Sequence, residues 1–197
     1  MKILVTAFEP FGKETENPSM QILDRLPESI DGHTVIKLVL PVSFGRCHEV
    51  ARGVIDRERP DCIIAIGQAG GRADISIERI AVNMAQARNP DNDGECPDNR
   101  PIDLDGPDAI FSSAPVDRLV QAVRAGGIPA HASNSAGTYV CNTLYYHLLS
   151  HYGHIPVCFV HVPYSLAQAI AKPATTPSMS VDTMTQAITL IAKAMTV

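Results

Sequence analysis

The chain has 197 residues, about 45% of them apolar, which is enough for a packed core and excludes a disordered tail. Lys and Arg number 16 against 21 Asp and Glu, a net charge of −5, which makes the chain a poor candidate for binding a phosphate backbone by charge alone. No apolar run approaches the roughly 20 residues of a membrane span, and the five cysteines form no C-x-x-C pair, against a disulfide framework or a four-cysteine zinc site. Residues 1–7 are apolar only briefly and carry no signal-peptide pattern. These features predict a cytoplasmic protein with reduced thiols, no membrane or nucleic-acid partner, and one domain over residues 1–197.

Lys2–Ala7 reads as a short strand that ends in a turn. Asn17 and Pro18 look like the cap and first residue of a helix running to about Leu26. Thr34–Leu40 reads as a strand closed by Pro41. Ser43 is the expected cap of a helix through about Glu58, with Val50, Val54 and Ile55 on one face. Cys62–Ile66 is a continuous apolar strand leading into Gly67. Ile75–Val82 alternates in part and predicts one further strand. Residues 88–108, rich in Pro, Asp, Asn and Gly, predict a long loop of the kind that usually carries function. Helices are expected over Val116–Ala125, Thr138–His151 and, capped by Ser180, Val181–Met195; Val157–Val162 is a buried strand stopped by Pro163. Strand–helix alternation of this kind predicts an α/β fold, a three-layer α/β/α sandwich around a largely parallel twisted sheet.

Open sheets bind ligands beyond the carboxyl ends of their strands. Four segments fall there: Phe8–Gly12, Gly67–Arg72, Ser133–Asn142 and His161–Tyr164. Cys141 follows small polar residues in the first turn of a predicted helix. The helix dipole there favours thiolate, and unpaired N–H groups can hold an oxyanion. The competing reading is a small buried side chain. Cys62 and Cys158 lie inside apolar strands, Cys47 on a helix, and Cys96 in the polar loop without an activating neighbour. His161 interrupts the apolar run Val157–Val162, where a ring must find a polar partner, as base or as satisfied core residue. His147 and His151 are spaced as metal ligands but lack the glutamate of the zinc-peptidase pattern, so a solvated helix face fits them better. Glu78, in Ile75–Val82, is either exposed on one sheet face or buried and paired. Gly67-Gln68-Ala69-Gly70-Gly71-Arg72 matches neither nucleotide-loop pattern. Its Gln68, with Phe8 and Phe11 as apolar walls, describes a pocket for a small neutral amide-bearing group.

Five stretches then carry a family resemblance: Thr6–Gly12 with Asn17-Pro18-Ser19; Gly67–Arg72; Ile77–Asn83 with Ala87-Arg88 and Pro90-Asp91-Asn92; Ser133–Thr143; and Phe159–Tyr164. Together, and in this order, they resemble the pyroglutamyl peptidases, a family of cysteine peptidases. The resemblance implies Glu78, Cys141 and His161 as the catalytic set. It implies that Phe8, Phe11 and Gln68 hold a pyroglutamyl ring, with Tyr139 and Val140 lining it and Arg88 and Asn89 beside it. It also implies hydrolysis of the bond after an N-terminal pyroglutamyl residue, no metal or other cofactor, and a homo-oligomer, tetramer or dimer. Tyr139 stands where Phe is common and Asn89 where an apolar residue is common, which predicts a wetter ring pocket. Two alternatives stay open on the residues alone. One is a non-catalytic module holding a phosphorylated or nucleoside ligand at Gly67–Arg72, the other a metal hydrolase using His147, His151 and His154.

Overall fold

The structure is a computed structural model that describes residues 1–196. Nine strands and six helices are found among these residues, and seven of the strands form one sheet. In chain order they are β1 (Lys2–Phe8), α1 (Pro18–Arg25), β2 (Ser29–Ile30), β3 (His33–Leu40), α2 (Cys47–Glu58), β4 (Cys62–Gln68), β5 (Ile75–Glu78), β6 (Ile80–Val82) and β7 (Ala109–Phe111). Then follow α3 (Val116–Ala125), β8 (Ala130–Ser133), α4 (Val140–Tyr152), β9 (Val157–Val162), α5 (Leu166–Ile170) and α6 (Val181–Met195). The large sheet runs β2-β3-β1-β4-β9-β5-β8. Strands β3, β1, β4 and β9 are mutually parallel, β5 lies antiparallel to β9, and β6 pairs with β7 in a separate ribbon.

The period of two along each strand divides the core. Ile3, Val5 and Ala7 of β1, Ile64 and Ile66 of β4, and Val160 and Val162 of β9 pack with α1, α3 and α6. Leu4 and Phe8, Ile63 and Ala65, and Val157 and Phe159 point the other way, into the layer of α2 and α4. The same alternation turns Gly67, His161 and, from β5, Glu78 toward α4. The site is thus assembled on one face of the sheet before any loop is considered.

The local chemistry explains most boundaries. Asn17 caps α1 by accepting from the Ser19 N–H (3.0 Å), with Pro18 following. Ser180 caps α6 by accepting from the Thr183 N–H (3.0 Å). Helix α2 begins three residues later than expected, with Arg46 rather than Ser43 at its cap position. Ser43 Oγ accepts from the Arg46 N–H (3.2 Å), which spends residues 43–46 on a turn. Its buried face is Cys47, Ala51 and Ile55, while Val50 is exposed.

The expected single strand over Ile75–Val82 is two. At Arg79 the backbone leaves the sheet: its N–H donates to the Ser133 carbonyl (2.7 Å) and its carbonyl accepts from Ser112 (2.9 Å). The Glu78 carbonyl accepts from the Tyr145 hydroxyl instead (3.0 Å). Strands β2, β7 and β8 and helix α5 were not expected. Ala-His-Ala-Ser of β8 has no β-branched residue, and its edge pairing to β5 forms it. Residues 83–108 hold no helix or strand, and Asn83 and Asp91 fasten this loop. Asn83 Oδ1 accepts from Ile102 and Asp103 N–H (2.8 and 2.9 Å), and Asp91 from Phe44, Asp93 and Glu95 N–H.

Candidate active site

Helix α4 starts at Val140 rather than Thr138, because Gly137 turns the chain at φ 77 and the Thr138 hydroxyl is spent on the Gln86 carbonyl (3.0 Å). Cys141 is therefore the second helical residue, among N–H groups that have no partner within the helix. Its neighbour Asn142 is fully buried, accepts from the Val82 N–H (3.0 Å) and donates to the carbonyls of Val82 and Met84. That clamp fixes the helix start against β6. The Cys141 sulfur lies over Gly67: a Cβ there would come within 2.9 Å of Sγ and of the Phe159 ring. Gly67→Ala must therefore push the sulfur aside. The expected result is a fall of about 10- to 100-fold in turnover with the fold kept, read from steady-state kinetics and circular dichroism. Wild-type turnover in that variant would refute this account of Gly67.

His161 is buried at the end of β9 against Phe159, ring centroids 4.9 Å apart. Its Nδ1 meets Glu78 Oε1 at 2.7 Å. Glu78 has no exposed surface, and the same Oε1 accepts from Arg72 Nη1 at 2.7 Å. Burial pushes the Glu78 carboxyl up, but His161, with the Ser133 hydroxyl and Arg72, more than offsets it and holds it below the ordinary range. Burial also pulls His161 below its ordinary value, against the pull of Glu78. The Cys141 thiol is pushed up to about 12 by burial and by the Glu78 charge, which outweigh its own backbone N–H and Arg72. The helix terminus alone does not make the expected thiolate. Burial thus disfavours the charged form of both Cys141 and His161.

Cys141 and His161 line a pocket of about 260 Å³ with Phe8, Phe11, Val42, Gln68, Arg72, Tyr139 and Val140. Phe8 ends β1, where Ser19 Oγ accepts from its N–H (3.1 Å). Gln68 Oε1 accepts from Gln168 Nε2 (3.1 Å), and Ser165 and Gln168 form the capping box that starts α5. The Tyr139 hydroxyl donates to the Pro90 carbonyl (3.2 Å), with its ring edge-on to Phe44. Its polar end is thereby satisfied, so the expected wetter pocket does not follow from this residue. Arg88 and Asn89 are exposed and do not line the pocket; they border a neighbouring cleft that shares Phe11 and Tyr139 with it. Sequence reasoning missed Val42, Arg72 and Gln168. Only Arg72 had a local signal, closing the glycine-rich loop.

The other expectations are resolved by packing. Over Gly70 the Tyr164 ring fills the space, and a Cβ there would lie 2.1 Å from it, while Arg72 is engaged by Glu78. That loop is not shaped to cradle a phosphate. His147 is not on a solvated face: it stacks on His48 with centroids 3.9 Å apart. Among the described residues no cluster of three or more His, Cys, Asp or Glu could hold a metal, and no helix is long and apolar enough to cross a membrane.

Burial, with His48 and His151 adding repulsion, lowers His147 from 6.5 to about 4. The unfolded chain then binds a proton that the folded chain refuses. The stability tied to this ring is complete above about pH 6.5 and is lost as pH falls toward 4. Urea unfolding should show about 2 kcal/mol less stability at pH 5 than at pH 7 from this residue. His147→Gln should remove that difference, and parallel losses in both proteins would contradict the assignment.

Comparison with known proteins agrees with this geometry. A model of the pyroglutamyl peptidase family matches residues 1–197. The chain belongs to the pyroglutamyl peptidase family. It is 47% identical over 192 residues to pyrrolidone-carboxylate peptidase 1 of Caldanaerobacter subterraneus subsp. tengcongensis, covering 95% of this chain and 94% of that protein. It is 45% identical over 198 residues to the pyrrolidone-carboxylate peptidase of Thermosipho africanus, covering 98% and 96%. Among solved structures, pyroglutamyl peptidase I from Bacillus amyloliquefaciens superposes with a TM-score of 0.94 at 39% identity, covering 100% of this chain and 95% of that one. Pyrrolidone carboxyl peptidase from Thermococcus litoralis gives 0.95 at 36% identity, covering 99% and 93%. The three-layer α/β fold with its mostly parallel sheet is that of these pyroglutamyl peptidases.

Proposed function

We propose that residues 1–197 are one cysteine-peptidase domain that removes an N-terminal pyroglutamyl residue from peptides. The observation that carries the residue assignment is the buried His161–Glu78 contact of 2.7 Å, with His161 facing the same apolar pocket as Cys141. As Cys141 Sγ attacks the carbonyl that joins the ring to the next residue, its proton passes to His161. Glu78, bonded to Nδ1, fixes the ring with Nε2 toward the thiol and stabilises the imidazolium. The first N–H groups of α4 receive the oxyanion. The C–N bond breaks, His161 returns the proton to the leaving amine, and water, deprotonated by His161, hydrolyses the thioester.

Phe8, Phe11, Tyr139 and Val140 form the walls for the flat lactam. Gln68, its carbonyl oxygen already engaged by Gln168, offers its N–H to the ring carbonyl. The leaving peptide runs into the neighbouring cleft, past Arg88 and Asn89. The reading includes a homo-oligomer, dimer or tetramer, for which exposed Leu104, Phe111 and Ile170 supply apolar surface, and a cytoplasmic location, consistent with five free cysteines.

The test is release of fluorophore from a pyroglutamyl arylamide, followed by alkylation with iodoacetamide. Turnover should stop as Cys141 is labelled. Loss of turnover that tracks labelling of the exposed Cys96 instead, with Cys141 unmodified, would overturn the nucleophile. Light scattering checks the oligomer.

A further inference from the structure

Arg72 takes part in every charge of the site without being the nucleophile, the base or part of the ring walls. Its Nη1 donates to Glu78 Oε1 at 2.7 Å, the same oxygen that meets His161 Nδ1 at 2.7 Å. Its Nη2 donates to the Ser135 carbonyl at 3.1 Å, in the segment that leads into α4 and Cys141. Glu78 Oε2 is buried and makes no hydrogen bond, and the nearby Ser133 hydroxyl brings no charge, so the countercharge of the carboxylate is gathered at Oε1. A lone buried carboxylate is costly, and it would draw a proton onto any imidazole bonded to it.

We infer that Arg72 is a positioning residue that keeps the catalytic set neutral, sharing Glu78 Oε1 with His161 so that proton transfer from Cys141 adds one charge of each sign to an already balanced pair. This rests on the assignment of Cys141 and His161 made above. The charge count gives the mechanism. At rest Glu78 and Arg72 cancel, and thiol and imidazole are neutral. After proton transfer the thiolate and imidazolium cancel as well. Without Arg72 the resting site carries one uncompensated negative charge. That charge holds the proton on His161 before substrate arrives, and it repels the thiolate.

The groups that face the set are few. Glu78 comes from β5, His161 from β9, Cys141 and the Tyr145 hydroxyl from α4, and Arg72 from the loop after β4; beyond them Asp74 is paired to His131 of β8 at 2.9 Å. None of the others is a cation that could replace Arg72 against Glu78. Both His161 and Cys141 feel the guanidinium in the direction of lower pKa. Removing it should raise both, and so move both limbs of the pH–rate profile toward alkaline pH.

The experiment measures kcat and KM for a pyroglutamyl arylamide against pH in Arg72→Gln, Arg72→Met and Arg72→Lys. The two neutral variants should lose about 10-fold or more in kcat, with KM changed little, and their acid limb should rise by about one pH unit. Arg72→Lys keeps the charge and loses the forked geometry, so its limbs should stay near the wild-type positions while kcat falls. A loss of kcat with unmoved limbs in the neutral variants would make Arg72 a mere brace and overturn the inference. So would a loss wholly in KM. If neither neutral variant folds, a displaced acid limb in Arg72→Lys overturns it and a retained one supports it. Wild type is the reference in each arm. Failure of the underlying assignment would show separately, as absent wild-type turnover or as full turnover in Cys141→Ser.

Discussion

Cys141→Ala should lower kcat/KM for a pyroglutamyl arylamide by about 10⁴-fold or more, while the far-ultraviolet spectrum and the thermal midpoint stay close to wild type. No other nucleophile can take the place of the thiol. Cys47, Cys62 and Cys158 are buried, with thiols pushed up by that burial, and Cys96 is in the exposed loop. Thr143, two residues on, points to the far side of α4 from Cys141, is buried, and lines a different pocket with Phe44 and His48. His161→Ala should cost about 10²- to 10⁴-fold. Residues that act as one unit are not additive, so the double variant should be no slower than Cys141→Ala alone. A double variant slower by the product of the two single losses would mean that the thiol and the ring act independently, and the proton transfer between them would have to be abandoned.

Much of this site could be read from the chain because its signals are local. Small polar residues before a helical pattern mark Cys141, and a lone imidazole inside an apolar strand marks His161. The alternation that aims His161 and Gly67 at α4 is the same alternation that sorts the core. Glu78 was ambiguous for a physical reason. Ile75–Val82 has the pattern of one strand with an exposed face, and the break at Arg79 comes from hydrogen bonds to Ser133 and Ser112, which only the tertiary fold brings near. The hold of Gln168 on Gln68 crosses 100 residues and leaves no trace in either neighbourhood. The thiol chemistry was legible only in part. The helix terminus predicts a thiolate, but the depth of the pocket, which decides the balance, is a property of packing. Of the histidines of α4, His151 is exposed as expected, but His147 is half-buried because it finds His48 from α2.

A substrate with a free N-terminal glutamine or proline should be turned over about 10⁴-fold or more less efficiently than its pyroglutamyl counterpart. Cyclisation removes the ammonium and leaves a neutral lactam with one N–H and one C=O. The pocket suits that group and opposes a cation in three ways. Its walls are apolar, so an ammonium would lose its water without a partner. Among the described residues no carboxylate lines it: Glu78 is fully buried and already compensated by Arg72. The charged side chain that does line it, Arg72, has the same sign as the ammonium. Proline keeps the ring but not the carbonyl, so it also leaves the Gln68 donor unpaired, and sites built to hydrogen-bond a substrate reject analogues lacking that group by about 10⁴- to 10⁵-fold. The comparison uses arylamides of pyroglutamate, proline and glutamine at one pH. Gln68→Leu should narrow the gap to proline by slowing the pyroglutamyl substrate, since proline has no ring carbonyl to make that contact. If proline or glutamine arylamides were cleaved within about 100-fold of the pyroglutamyl one, selection would have to come from somewhere other than the neutrality of this pocket.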